Sequence, residues 1–304
     1  VIRRTYLALD IASGHLRGTA LHRRGKGSAL AGARSIALPD GVSALSVRRP
    51  NVLDGRRFVD SVREVLDPLA GREERLALSL PDTVGRLLLT EVETAFKTKQ
   101  EGGDILKWQL KGSLGDPRDI HLDYQVLERR ENGRFRLAVA AIERVVLQQY
   151  EDLIVEAGYH ATIIDFHSLN IYNYYRPRLD LGEDSVLVSV EGGALSLQVF
   201  QDRMLVFHRA REVAPSPRQL FQELSRSVVG SLDQFPGLRR AKLYLHSDWP
   251  EPTPLEEAVR SAFERPDLVL LDPHLERLAG GEQPRGAREA HALVAAVGAA
   301  ERMM

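Results

Sequence analysis

The chain opens with short runs in which apolar and polar positions alternate, the period-two signature of strands with one buried face. Residues 5–10 (TYLALD) lead into the small residues Ala12, Ser13 and Gly14. Residues 16–22 alternate in the same way, and the basic, glycine-rich stretch 23–27 (RRGKG) follows as a turn. A third strand is expected near 33–38. Between 54 and 69 the spacing becomes helical, with Phe58, Val62, Val65 and Leu69 on one face. Residues 76–80 (LALSL), stopped by Pro81, form another strand. The predicted order is strand, turn, strand, strand, helix, strand.

From residue 82 the texture becomes more charged. Strands at 86–92 and 121–128 flank a helix at 103–112, and the Asn132-Gly133 turn signal precedes a strong strand at 135–142 (FRLAVAAI). A helix through 145–157 ends at Gly158, a strand at 161–165 and a helix at 166–175 lead to Pro177, and the acidic stretch 180–184 reads as a boundary. The opening theme then returns. Strands at 185–190, 195–200 and 204–209 are separated by small-residue turns, with a helix at 216–235, a strand at 242–246, a helix at 255–263, a strand at 268–271 and an alanine-rich closing helix at 289–302. Two halves that each begin with a β-meander and continue with alternating helices and strands imply an internal duplication.

Composition narrows the function classes. The 304 residues include 41 basic and 42 acidic ones, so the net charge of -1 gives no global attraction to nucleic acid or an anionic membrane. Cysteine is absent, which removes disulfides, thiolate metal sites and a cysteine nucleophile. Apolar runs such as 185–190 are of strand length, far short of the ~20 residues a membrane helix needs. These features suit the cytoplasm.

The element Asp10, Ile11, Ala12, Ser13, Gly14, His15 (DIASGH) carries the first chemical hint. An aspartate ending a strand, followed by small residues, lets backbone N–H groups approach an anion, as in a phosphate nest. A tight hairpin turn without a ligand would look the same. With it go, in succession, 76–81 (LALSLP), 87–92, the helix around Trp108 (DILKWQLK), 122–127 (LDYQVL), 135–142 and 150–165 (YEDLIVEAGYHATIID). This succession resembles the PilM-type actin-like proteins of type IV pilus assembly, relatives of the cell-division protein FtsA.

The resemblance implies an α/β, actin-like (ribonuclease H-like) fold of two lobes, with a small α+β subdomain inserted in the first. It assigns 1–83 and 164–180 to the first lobe, 84–163 to the insert and 181–304 to the second lobe, the closing helix packing back on the first. It further implies nucleotide contacts at Asp10, Ala12, Ser13, Gly14 and His15 and at Glu191, Gly192, Gly193 and Ala194. A groove between first lobe and insert would take the tail of a PilN-type membrane subunit, with Trp108 and Leu110 lining or supporting it.

The second half departs from that pattern. Where the family carries Asp-Ile-Gly and a threonine, this chain has Ser189, Val190, Glu191, Gly192, Gly193, Ala194, Leu195 (SVEGGAL), and Ser247, Asp248, Trp249, Pro250 replace a glycine-rich adenosine turn. Metal-assisted phosphoryl transfer depends on the lost groups for charge neutralisation and orientation. The expected function is therefore a cytoplasmic scaffold of a type IV pilus or type II secretion platform, without a catalytic residue, metal or obligatory cofactor. It would lie at the inner membrane through its partner, like the GspL-type proteins that share the fold. The rival is a nucleotide switch that binds ATP and Mg²⁺ through the same turns. A sugar or acyl kinase, with Asp165 as general base, ranks third.

Other candidates are weaker. The nine histidines form no His-x-x-x-His pair, and His160 and His167 merely flank a strand-helix junction. Ser79 and Ser168 lack a Gly-x-Ser-x-Gly elbow. The aromatic group Phe166, Tyr172, Tyr174 and Tyr175 reads as core packing, with a peptide groove as the alternative. Short basic runs at 23–26 and 239–242 read as solvated turns.

Overall fold

The computed structural model describes residues 4–12, 14–25, 27–179, 182–214, 216–232, 234–278 and 286–304. Strands β1 (Thr5–Ala12) and β2 (His15–Arg24) form a hairpin in which Ala12 faces His15. Gly14 turns the chain at φ +70°, a region in which glycine carries no Cβ penalty. Strand β3 (Gly27–Ala37) follows, longer than the alternation predicted because its first half pairs with the end of β2. Helix α1 (Gly55–Ala70) is capped by Asp54, whose side chain accepts the Arg57 N–H at 3.1 Å. Strand β4 (Arg75–Leu80) then lies parallel to β1.

Next comes a separate three-stranded antiparallel sheet. It is built from β5 (Gly85–Val92), β6 (Ile120–Arg129) and β7 (Phe135–Glu143) in the order β5-β7-β6, with α2 (Lys99–Gln109) and α3 (Lys111–Leu114) between β5 and β6. Helix α2 starts earlier than the sequence spacing suggested because Thr98 caps it, accepting the Glu101 N–H. Gly102 sits inside this helix because a Cβ there would stand 2.3 Å from the Tyr124 hydroxyl oxygen.

Helix α4 (Arg144–Glu156), strand β8 (His160–Phe166) and helix α5 (His167–Leu179) return to the first body. β8 pairs in parallel with β4, completing the order β3-β2-β1-β4-β8. Val146, Tyr150 and Ile154 of α4 share one core with Phe58 and Val62 of α1 and Leu76 and Leu78 of β4. The insert proper is therefore 85–143, narrower than 84–163, because α4 and β8 bury their apolar faces in the first lobe.

The second lobe repeats the order. Strands β9 (Ser185–Glu191), β10 (Ala194–Gln201) and β11 (Met204–Glu212), helix α6 (Pro217–Leu232), strand β12 (Lys242–Ser247), helix α7 (Pro252–Phe263) and strand β13 (Val269–Leu270) give β11-β10-β9-β12-β13. The closing helix is broken at Leu293 into α8 (Ala287–Ala292) and α9 (Val294–Glu301). Every residue from Val294 to Ala300 is buried, with Val297 and Ala300 packed on Tyr6, Ala8 and Ala77 of the first sheet. Ile171, Tyr175 and Leu179 of α5 meet Leu187, Phe200 and Tyr244 of the second sheet. No described helix is long and apolar enough to cross a membrane.

Candidate functional site

The hairpin register sets the site. In β1 and β2, Asp10 lies directly opposite Arg17, so their side chains share the face that looks toward the second lobe. Arg17 is 4 % exposed and reaches across: Nη1 donates to Glu191 Oε2 at 2.6 Å, Nη2 lies 3.4 Å from Asp248 Oδ2, and Nη1 is 3.7 Å from Asp10 Oδ2. His167, the first residue of α5, stands between the two lobes. Its Nδ1 is 2.7 Å from Asp10 Oδ1 and its Nε2 is 3.2 Å from Glu191 Oε2. The other Glu191 oxygen meets His246 Nε2 at 2.6 Å, and the remaining His246 nitrogen meets the Tyr175 hydroxyl at 2.9 Å. A proton on His246 Nε2 donated to Glu191, with the tyrosine hydroxyl donating to Nδ1, satisfies both bonds.

The charges in this cluster are mutually dependent. Burial alone would lower the Arg17 pKa, but Glu191, Asp10 and Asp248 raise it. Burial likewise opposes a charged His167, yet Asp10 and Glu191 lift it well above the ordinary histidine value, so it is an imidazolium. Burial would raise Glu191, but His167 and Arg17 hold it well below the usual carboxylate range. Asp248 is pushed up, first by burial and then by its neighbour Glu191. His291, 3.3 Å from His246, is lowered to about 4 by burial and by that neighbour.

The second hairpin turn is occupied by the protein itself. Gly192 N–H donates to Asp248 Oδ1 at 2.9 Å, and the Trp249 indole N–H donates to the Gly192 carbonyl at 3.0 Å. A backbone donor of the kind that holds phosphate thus carries an internal carboxylate. Ser189 lies two residues before Glu191 on the same buried strand face, opposite Ser196. Both serines line an interlobe cavity of about 30 Å³, roughly the share of one water molecule. Outside it, an open groove of about 500 Å³ runs between the two turns, past Ala12, Gly14, Gly193 and Ala214.

A second latch lies alongside. Asp82 accepts the Ser168 N–H at the start of α5 (2.9 Å) and the Ser168 hydroxyl, and His208 Nε2 of β11 is 3.0 Å from that hydroxyl. Burial would raise Asp82, but its bonds to His208 and Ser168 hold it low. Serine and carboxylate meet the same imidazole nitrogen, so no proton relay of the hydrolase type exists.

Of the predicted site residues, Asp10 and Glu191 come together through His167 and Arg17, and Gly192 joins them through Asp248. Ala12, Gly14 and Gly193 line the outer groove, Ala194 lines the inner cavity, and His15 is exposed on β2. Ser13 lies outside the described residues. Asp165 pairs with Arg302, away from the cluster. Arg17, His246 and Asp248 were missed as a set. A two-residue turn after Ala12 would have placed Arg17 opposite Asp10, whereas nothing local announces His246 in β12 or Asp248 just after it.

A further groove of about 330 Å³ separates the insert from the first lobe, lined by Asp123 and Ala140 of the insert, Leu147 and Glu151 of α4, and Thr162 and Ile164 of β8. Trp108 and Leu110 do not line it. Leu110 packs on the opposite face of the insert's sheet with Leu88 and Leu122, because α2 covers that face. Trp108 is 64 % exposed on α2, with the Lys111 ammonium 5.7 Å from its ring centre.

No protein-family model and no curated protein matches the sequence. Solved structures do match in shape. The PilM–PilN type IV pilus biogenesis complex aligns at TM-score 0.75 and 16% identity over 99% of each chain. A Bacteroides thetaiotaomicron protein of actin-like ATPase fold and unknown function aligns at 0.59 and 11%, over 91% of this chain and 95% of that one. The ethanolamine utilization protein EutJ of Carboxydothermus hydrogenoformans aligns at 0.52 and 9%, over 99% and 90%. The fold is the actin-like one, two lobes with a small subdomain set into the first.

Proposed function

We propose that this chain is an assembly scaffold of a type IV pilus or type II secretion platform, which binds the cytoplasmic tail of a PilN-type membrane subunit and makes or breaks no bond. The carrying observation is that the anion positions of the interlobe site are filled from within: Asp248 takes the Gly192 N–H, and Arg17 spans Asp10, Glu191 and Asp248. A nucleotide's phosphates would have to displace these buried ion pairs. The inner cavity of about 30 Å³ is tenfold below the ~300–1,000 Å³ of small-molecule sites. The shape match to the PilM–PilN complex supports the pilus assignment, and the groove between insert and first lobe gives an extended tail a place to lie. The partner would bring the protein to the inner membrane from the cytoplasmic side.

The nucleotide-switch reading draws on one feature, the open groove of about 500 Å³ between the turns. Isothermal titration decides between them. The scaffold takes up the tail peptide of the PilN-type subunit from the same cell at micromolar concentration, loses it in Ala140→Trp, and gives no heat with millimolar ATP and Mg²⁺. Micromolar ATP binding by the folded protein would replace the scaffold with the switch.

A further inference from the structure

β11 ends the second sheet, so one of its two edges carries main-chain groups that no described strand pairs. Beside it run the 45–47 segment and the start of β5, enclosing an open groove of about 600 Å³. Its charge leans positive. Arg86 on β5 and Arg211 on β11 form no ion pair with any described carboxylate: Arg86 donates to the Ser113 carbonyl and Arg211 to the Ala210 carbonyl. Arg209 adds a third guanidinium, tied on one side to Glu223, while its Nε–H is buried without an acceptor. The two carboxylates of the lining already have donors within the protein, Asp82 the Ser168 N–H and hydroxyl and Glu212 the Thr83 hydroxyl, so three guanidiniums face two engaged carboxylates. Leu45, Val47 and Leu87 provide apolar wall between these charges.

We propose that this groove docks an acidic, extended peptide segment of a partner protein, one with alternating carboxylate and aliphatic side chains. Main-chain groups of the segment pair with the open edge of β11, its carboxylates meet Arg86 and Arg211 in charge-assisted bonds, and its aliphatic side chains fill the spaces toward Leu45 and Val47. The site shares no lining residue with the groove beneath the insert, so both can be occupied at once. A segment bound here touches the first lobe, the insert and the second lobe together, and therefore reads their relative placement.

The test is fluorescence anisotropy with the labelled peptide (Glu-Val)₄ and its counterpart (Lys-Val)₄ on the full chain. The acidic peptide binds saturably and weakens several-fold between 50 and 300 mM salt, as screened charges require. Arg86→Glu with Arg211→Glu weakens it at least tenfold, while Arg56→Glu on α1, outside the groove lining, leaves it unchanged. A thermal melt confirms that each variant is folded. Failure of the acidic peptide to bind, equal binding of the basic one, or indifference to the double reversal each overturns the proposal. Because the membrane-subunit tail is assayed in Ala140→Trp and not in these variants, loss of either site is seen independently of the other.

Discussion

Arg17 is the residue on which the interlobe cluster depends. Its guanidinium faces Asp10, Glu191 and Asp248 with almost no access to water, so replacing it leaves three carboxylates against the single cation His167. Removing one member of a buried pair costs about 3–5 kcal/mol because the partner charge stays buried and uncompensated. Arg17→Met should lose that much in urea denaturation, and adding Glu191→Gln should recover part of it, since the two positions are coupled. The pH dependence follows from the two opposed shifts. Glu191, held low, contributes stability above about pH 4.3 that is lost as pH falls through its folded value. His167, held high, contributes stability that is complete below about pH 6.5 and is lost as pH rises through its folded value. Asp248, pushed up, opposes folding once ionised. Thermal melts should therefore peak between roughly pH 4.5 and 6.5. His167→Gln should remove the alkaline decline, and a wild-type melting point that stays flat to pH 9 would contradict the assignment.

At the scale of elements, α5 and α9 approach one another closely. A Cβ on Gly298 would stand 2.1 Å from the Asn170 carbonyl oxygen and 3.3 Å from the Tyr174 Cβ, so the two helices touch backbone to backbone. Gly298→Val must push α9 away from α5, and overpacking of this kind costs about 1–3 kcal/mol. The expected readout is a lower urea midpoint together with faster amide exchange in α5 and α9. Helix α5 has a second duty, presenting His167 and Ser168 at its first turn, where the Asp82 carboxylate caps the helix and complements its dipole. The aromatic residues read from sequence as core serve here: Tyr175 is fully buried against His246, and Tyr172 stacks on Phe200 with ring centres 4.3 Å apart.

For the molecule as a whole, the insert is attached through adjacent chain positions. Gly85 and Ile142 are paired partners across β5 and β7, so the chain leaves and re-enters the first lobe at nearly one point. Excising residues 86–142 and closing with a short Gly-Ser linker should keep the two-lobed body folded, seen as one cooperative transition in circular dichroism. The same variant should lose the tail-binding activity proposed for the groove beneath the insert. Retained tail binding would move that site elsewhere.

The strand-turn-strand pattern, the helices with their apolar faces and the repeat of the theme after residue 184 were legible in the sequence, because alternation and helical spacing are local consequences of which face is buried. So was the succession of elements that resembles actin-like proteins. Element ends were less legible: the helix was expected to start at Gly103, while the Thr98 cap begins α2 earlier. Tertiary structure alone decided what fills the interlobe site. Asp10, Arg17, His167, Glu191, His246 and Asp248 come from both lobes, and a sequence carries no signal for contacts between positions as far apart as the 231 residues between Arg17 and Asp248. It also decided Trp108, whose helix covers the far face of the insert's sheet. Periodicity tells which side of an element is apolar; which neighbour that side meets is fixed only when the lobes pack.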